Sequence, residues 1–218
     1  MPAVVFDWDG TLVDTLPAIF QANVETLADF GIPFDETAYR AAYTPDWRRM
    51  YRRLGVPESA MERAGARWLA RYESSVGARP FPGAGPALER LAAAGYRLGI
   101  VTAEHRHVVE AQLEAFGFEI HIDAMVCGDD GLPAKPDPTP LRRVLEDLRA
   151  LHGDRPATGS AYVGDVPDDM RLARAVGVLG VGIVSVLGSA EELTAAGAGV
   201  VVASVGVWVD ELLAGVEA

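Results

Sequence analysis

Residues 4–14 read Val-Val-Phe-Asp-Trp-Asp-Gly-Thr-Leu-Val-Asp, an apolar β-type run ending in two aspartates, Asp7 and Asp9, followed at once by Gly10 and Thr11. Side chains alternate faces along a strand, so the two carboxylates share a face for as long as the strand continues. Gly10 then lets the chain swing and bring backbone N–H groups toward an anion. Two crowded carboxylates invite a divalent, oxygen-preferring cation, and Mg²⁺ with a phosphorylated ligand is the natural pairing. Taken alone, Asp9 to Leu12 reads better as a turn after a buried strand. What lies downstream decides between the two.

Further apolar, β-rich runs at residues 97–102, 160–164 and 179–184, with a short one at 124–127, alternate with helical patterns near 84–94, 104–116, 138–151, 167–176 and 205–214. This alternation predicts an α/β fold: a parallel sheet covered by helices on both faces, with residues 200–203 adding an edge strand. In such sheets the ligand crevice lies at the carboxyl ends of the strands, so functional motifs belong just after them. Residues 16–80 interrupt the alternation. They hold helical stretches around 16–30, 36–53 and 58–76, punctuated by Gly31-Ile32-Pro33 and Gly55-Val56-Pro57, and the chain returns through Pro80-Phe81-Pro82-Gly83. The expected organisation is a core of residues 1–15 and 81–218 with a small all-helical cap, residues 16–80, inserted after the first strand.

The 218 residues suffice for one sizeable core and a small accessory domain. A net charge of −12 and a pI near 4.7 argue against nucleic acid and anionic membrane surfaces as partners, because both need concentrated cationic charge. Met1 leads straight into the first strand without a basic and apolar leader, and no apolar stretch approaches membrane-spanning length, so the sequence predicts a cytoplasmic protein. Cys127 is the only cysteine. It cannot form an intramolecular disulfide or a cysteine-only zinc site, and it reads as a small buried hydrophobe. Of the 19 basic residues only Lys135 is a lysine, which eliminates any mechanism that needs a second one.

Three more segments carry candidate chemistry. Thr102 ends the run Ile100-Val101-Thr102-Ala103-Glu104, where a hydroxyl and free N–H groups suit a phosphate, although a threonine there also suits a helix N-cap. Lys135 stands in Ala-Lys-Pro-Asp-Pro, stiffened by prolines; a solvated loop lysine is the alternative. Residues 162–170 read Tyr-Val-Gly-Asp-Val-Pro-Asp-Asp-Met, a strand, a tight glycine, Asp165, then Asp168 and Asp169, where acids also suit a helix N-terminus.

In this order and at these strand ends, the motifs resemble the haloacid dehalogenase superfamily, in its capped, phosphoglycolate-phosphatase-like branch. The resemblance spans essentially the whole chain and rests on Asp7 to Leu12, Thr102, Lys135-Pro136, and Gly164-Asp165 with Asp169. It implies a Rossmann-like core, a helical cap, and phosphoryl transfer through an aspartyl-phosphate with Mg²⁺ as cofactor. Asp7 is then the nucleophile and Asp9 the acid that protonates the leaving oxygen and later accepts a proton from water. Mg²⁺ is held by the Asp7 carboxylate, the Asp9 carbonyl and Asp165, supported by Asp169 or, failing that, Asp168. Gly10, Thr11, Thr102, Ala103 and Lys135 form the phosphoryl-binding set, Gly10 and Ala103 through backbone N–H groups. Relatives often carry Asn or Gly after the strand-end threonine; Ala103 followed by Glu104 departs from that, which bears on the substrate rather than on the chemistry.

Within the superfamily, Asp9 argues against a dehalogenase, and the absence of lysine from residues 16–80 excludes a Schiff-base phosphonatase. The expected activity is hydrolysis of a small organic phosphate monoester; a β-phosphoglucomutase-type mutase and a non-catalytic phospholigand-binding protein are the alternatives. Arg48 and Arg49 either pair with a substrate carboxylate, as phosphoglycolate would offer, or belong with Arg52 and Arg53 to a solvated helical face. Trp47 and Trp68 read as cap core, and nothing in the motifs requires His105 or His107.

Overall fold

The computed structural model describes residues 1–74, 78–153 and 155–215. The chain divides into two compact units, Met1–Val13 with Pro80–Ala218, and Asp14–Arg79. After β1 (Ala3–Phe6), the boundaries fall within two short strands that pair with each other, β2 (Val13–Asp14) and β3 (Arg79–Pro80).

The second unit is helical: α1 (Leu16–Ala28), α2 (Glu36–Ala42), α3 (Trp47–Arg53), a 3₁₀ turn at Glu58–Ala60, and α4 (Met61–Ser74). The single helix expected over 36–53 is two, because Pro45 interrupts the backbone ladder and Asp46 restarts it by accepting the N–H groups of Arg48 (3.0 Å) and Arg49 (3.2 Å). The last two residues of the stretch expected over 58–76 lie outside the described residues. Helix α1 packs along α4, and the buried Tyr51 hydroxyl donates to Asn23 Oδ1 at 2.9 Å. The Trp47 indole lies so close to Gly65 that a Cβ there would sit 2.7 Å from it. Trp68 stacks on Tyr72, so both tryptophans serve packing within this unit.

The first unit continues through α5 (Ala84–Ala93), β4 (Arg97–Val101), α6 (Arg106–Phe116), β5 (Ala124–Val126), α7 (Thr139–Asp147), the small hairpin β6 (Leu151–His152) and β7 (Arg155–Pro156), β8 (Ala161–Gly164), α8 (Pro167–Val176), β9 (Leu179–Ile183), α9 (Ala190–Ala196), β10 (Val200–Val202) and α10 (Val205–Ala214). Six strands form one sheet in the order β10-β9-β8-β1-β4-β5, and every pair is parallel. Residues 200–203 do supply an edge strand. The sequence reading omitted α9, whose start is announced by Ser189 and Glu192 in a reciprocal capping box.

The strands are apolar throughout because the sheet is covered on both sides. Ala3 and Val5 of β1 pack with Tyr162, Val101 and the apolar stripes of α7 and α8. Val4 and Phe6 point the other way and are equally inaccessible. With β1 central, residue 7 emerges at the carboxyl edge between the ends of β4 and β8, where a parallel sheet places its crevice.

Candidate active site

Strand β1 stops at Phe6, and the chain then folds into a tight turn. The Trp8 carbonyl accepts the N–H groups of Leu12 (3.0 Å) and Val13 (3.1 Å), while the fully buried Trp8 indole donates to Gln112 of α6 at 2.6 Å. Because the strand ends at Phe6, its face alternation no longer governs Asp7 and Asp9, and Asp9 bridges to Val13 instead. Asp7 is buried and Asp9 half-buried. Gly10 has a φ of 75° and passes so close to Asp165 that a Cβ would lie 2.5 Å from Oδ2, which only glycine permits. The Gly10 N–H, expected to face an anion, is given to the Val13 carbonyl at 2.9 Å; what Gly10 supplies here is close approach.

Both Asp7 oxygens are held. Oδ1 accepts the Trp8 N–H at 2.8 Å, and Oδ2 pairs with Lys135 Nζ at 2.8 Å. Lys135 is no solvated loop residue: its side chain is 5% exposed, and Nζ also meets Asp169 Oδ1 at 2.8 Å. Asp169 uses its second oxygen to accept the N–H groups of Asp165 and Val166, both at 3.1 Å. It therefore caps the turn into α8 and anchors the lysine at once. Asp168 points outward to Arg171 at 2.5 Å, so packing selects Asp169 over Asp168 for the interior. Gly164 makes room, since a Cβ there would overlap the Asp169 carboxylate.

Asp7, Asp165 and Asp169 offer ligand atoms that all lie within 4.8 Å of one another. The carboxylate of Asp9 is not part of that group. Burial pushes Asp7 up to about 6 against the opposing pull of Lys135, and burial followed by the Asp7 charge lifts Asp165 well above the ordinary carboxylate range. Among the described residues, Asp165 Oδ2 and Thr11 Oγ1 are two of several side-chain oxygens buried without a hydrogen-bond partner. Unsatisfied buried oxygens of this kind are costly, and a divalent cation beside three carboxylates would relieve Asp165. The donor set is all oxygen and net negative, as Mg²⁺ requires.

Thr102 lies buried at the end of β4, but it is not the cap of α6. Its hydroxyl accepts the Glu104 N–H at 3.1 Å, the helix begins at Arg106 rather than 104, and His105 occupies the cap position. The Ala103–Glu104 segment is pinned to the loop after β5: Gly128 N–H donates to the Glu104 carbonyl at 2.8 Å, and Arg106 grips Asp130 through Nε (3.0 Å) and Nη2 (2.6 Å). Burial pushes the neighbouring Cys127 thiol up to about 12, in keeping with an inert core residue.

Two contacts went unread in the sequence. Ser185, after β9, donates to the Asp165 carbonyl at 3.4 Å. Tyr162, fully buried on β8, reaches Lys135, Asp169 and Val101; its signal was a hydroxyl in an otherwise apolar buried strand, which must find partners. In the helical unit, Arg48 pairs with Glu62 at 2.7 Å and stacks on Trp47, whereas Arg49 is exposed.

A family model described as haloacid dehalogenase-like hydrolase matches residues 4–183. A phosphoglycolate phosphatase from Rhodospirillum rubrum is 37% identical over 189 residues, spanning 81% of this chain and 76% of that protein. One from Synechococcus elongatus is 32% identical over 205 residues, 90% of each chain. Among solved structures, a hydrolase from Pseudomonas syringae superposes with a TM-score of 0.82 at 25% identity, covering 97% of this chain and 98% of that one. No helix among the described residues is long and apolar enough to cross a membrane.

Proposed function

The chain belongs to the haloacid dehalogenase-like hydrolases, and from that premise we propose that it hydrolyses a small phosphate monoester through an aspartyl-phosphate on Asp7, with Mg²⁺ as cofactor. The observation that carries this reading is the Asp7 carboxylate itself. It is buried, fixed at both oxygens by Trp8 N–H and Lys135, and adjacent to an Asp165 oxygen that lacks a partner.

Asp7, Asp165 and Asp169 are the carboxylates that would hold Mg²⁺, and the Asp9 carbonyl would join them as in the family. When bound, the ion supplies positive charge that offsets repulsion between a carboxylate nucleophile and a phosphate dianion. The chain's own groups do the rest. An Asp7 oxygen forms a bond to phosphorus as the bond from phosphorus to the leaving oxygen breaks, and Asp9 delivers its proton to that oxygen. In the second half, Asp9 takes a proton from the water that attacks the same phosphorus, and the Asp7–phosphorus bond breaks to release phosphate. Lys135, pinned by Asp169, restrains Asp7 and meets phosphoryl charge. The buried hydroxyls of Thr11 and Thr102 and the Ala103 N–H complete the phosphoryl contacts.

Phosphoglycolate is the first substrate to try, supported by the names of the relatives; Arg48 or Arg49 would then pair with its carboxylate. In the test, purified protein is assayed for phosphate release from an aryl phosphate and from phosphoglycolate. Turnover should require Mg²⁺, stop with EDTA, and vanish in Asp7→Asn, which keeps the shape but has no nucleophilic oxygen. Undiminished turnover in metal-free buffer, or in Asp7→Asn, overturns the mechanism.

A further inference from the structure

We infer that Tyr162 is a positioning residue for Lys135: before phosphate binds its hydroxyl accepts the third ammonium proton, and it yields that hydrogen bond to the incoming phosphoryl oxygen. The inference rests on the reading of Lys135 as a phosphoryl ligand.

An ammonium group has three protons and no acceptor. Around Lys135 Nζ the structure places Asp7 Oδ2 at 2.8 Å, Asp169 Oδ1 at 2.8 Å and Tyr162 Oη at 3.3 Å. The first two are charge-assisted and short; the third is neutral and long. A phosphoryl oxygen arriving beside Asp7 must therefore displace a partner, and the phenol is the weakest of the three.

The direction in which Tyr162 uses its own proton follows from its other contacts. The Val101 carbonyl lies 3.0 Å from Oη, nearer than Asp169 Oδ1 at 3.3 Å. A hydroxyl that donates to Val101 turns its lone pairs toward Nζ. Val101 ends β4 and Tyr162 stands on β8, the two strands that flank β1, so the phenol spans the sheet beside the strand that carries Asp7. Its position is rigid, since the ring is fully buried in the core against α7 and α8.

The consequence has a distinctive sign. Removing the hydroxyl deprives the phosphate-free protein of one hydrogen bond that phosphate replaces on binding, while the phosphate complex loses nothing at Nζ. Tyr162→Phe should thus bind inorganic phosphate, in saturating Mg²⁺, about three- to tenfold more tightly than the wild type, the worth of one modest hydrogen bond. Calorimetry reads this without turnover, and product inhibition of the aryl phosphatase activity should show the same lower inhibition constant. A residue that merely supports the fold would instead loosen the site and weaken phosphate binding. Should the variant not fold, as judged by circular dichroism, Tyr162→Met, which also lacks the hydroxyl and adapts to irregular space, takes the same measurement. Unchanged or weaker phosphate binding in a folded variant, with the wild type binding normally, overturns the exchange alone. A wild type that binds no phosphate and hydrolyses no ester overturns the reading of the site, and the exchange with it.

Discussion

The two units use charge in opposite ways. The helical unit Asp14–Arg79 carries nine acidic residues and nine arginines, whereas the remainder of the chain carries 22 acidic residues against ten basic ones, so the whole net charge of −12 resides in the sheet unit. In the helical unit charges meet at the surface in pairs such as Arg48 with Glu62, Arg52 with Glu58, and Arg67 with Asp29. Each pair exchanges water for a partner with little net gain. In the sheet unit two buried carboxylates, Asp7 and Asp169, converge on one lysine, with the buried Asp165 carboxylate beside them. There every charge lacks water, and removing one partner leaves another stranded. The same functional groups are thus nearly interchangeable in one unit and irreplaceable in the other.

The strongest way to probe this asymmetry is at Asp9. If it acts as acid and base, Asp9→Asn should lower kcat on an aryl phosphate by about a hundredfold to ten-thousandfold while leaving the melting midpoint close to that of the wild type, since Asp9 is only half-buried. A variant of near wild-type turnover would remove Asp9 from the mechanism.

Next comes the lysine. Lys135→Ala strands Asp7 and Asp169, and should destabilise the metal-free protein near neutral pH by about 3–5 kcal/mol. Denaturant unfolding, read by hydrogen exchange of β1 and β8 peptides, measures it. A loss as small as that of a surface pair would end the contrast between the units.

The pH response of the metal-free protein sharpens the same point. Asp7 titrates near 6 in the folded state against 3.8 as the ordinary value, because of burial first, and Asp165 is raised as well. A folded state that keeps protons the unfolded chain has released becomes less stable as pH rises through the window between the two values. Melting midpoints without metal should therefore fall from about pH 4 to beyond pH 6. Added Mg²⁺ should raise the midpoint most at the upper end, where the carboxylates are ionised. A midpoint that climbs across this window without metal would contradict the burial reading. Below it, carboxylates held low by arginine or local hydrogen bonds, such as Asp29 and Asp130, act in the opposite sense.

The smallest effects belong to the helical unit. Arg48→Ala should cost under about 1 kcal/mol, because it breaks only the exposed pair with Glu62 and a stack on Trp47. Arg49→Ala tests the substrate: a KM raised for phosphoglycolate but not for a neutral aryl phosphate assigns it to carboxylate recognition. Equal kinetics on both esters would return it to a solvated face.

What the sequence determined by itself was chemistry written in a few consecutive residues. Parallel strands end at a common edge, so an apolar run followed by a polar string, as at Asp7, Thr102 and Asp165, already says which side chains are neighbours in space. Lys135 belonged with them by order. The tertiary structure decided what no local period encodes. It ended β1 at Phe6 and left the Asp9 carboxylate outside the group formed by Asp7, Asp165 and Asp169. It broke the helix over 36–53 at Pro45, and turned Asp169 inward and Asp168 outward although both stand in the first turn of one helix. It also brought Tyr162 to Lys135, 27 residues away, and to Val101, 61 residues away. A partner at such a distance leaves no trace in neighbouring residues, because a buried hydroxyl or carboxylate takes whatever group the packing of several elements delivers to it.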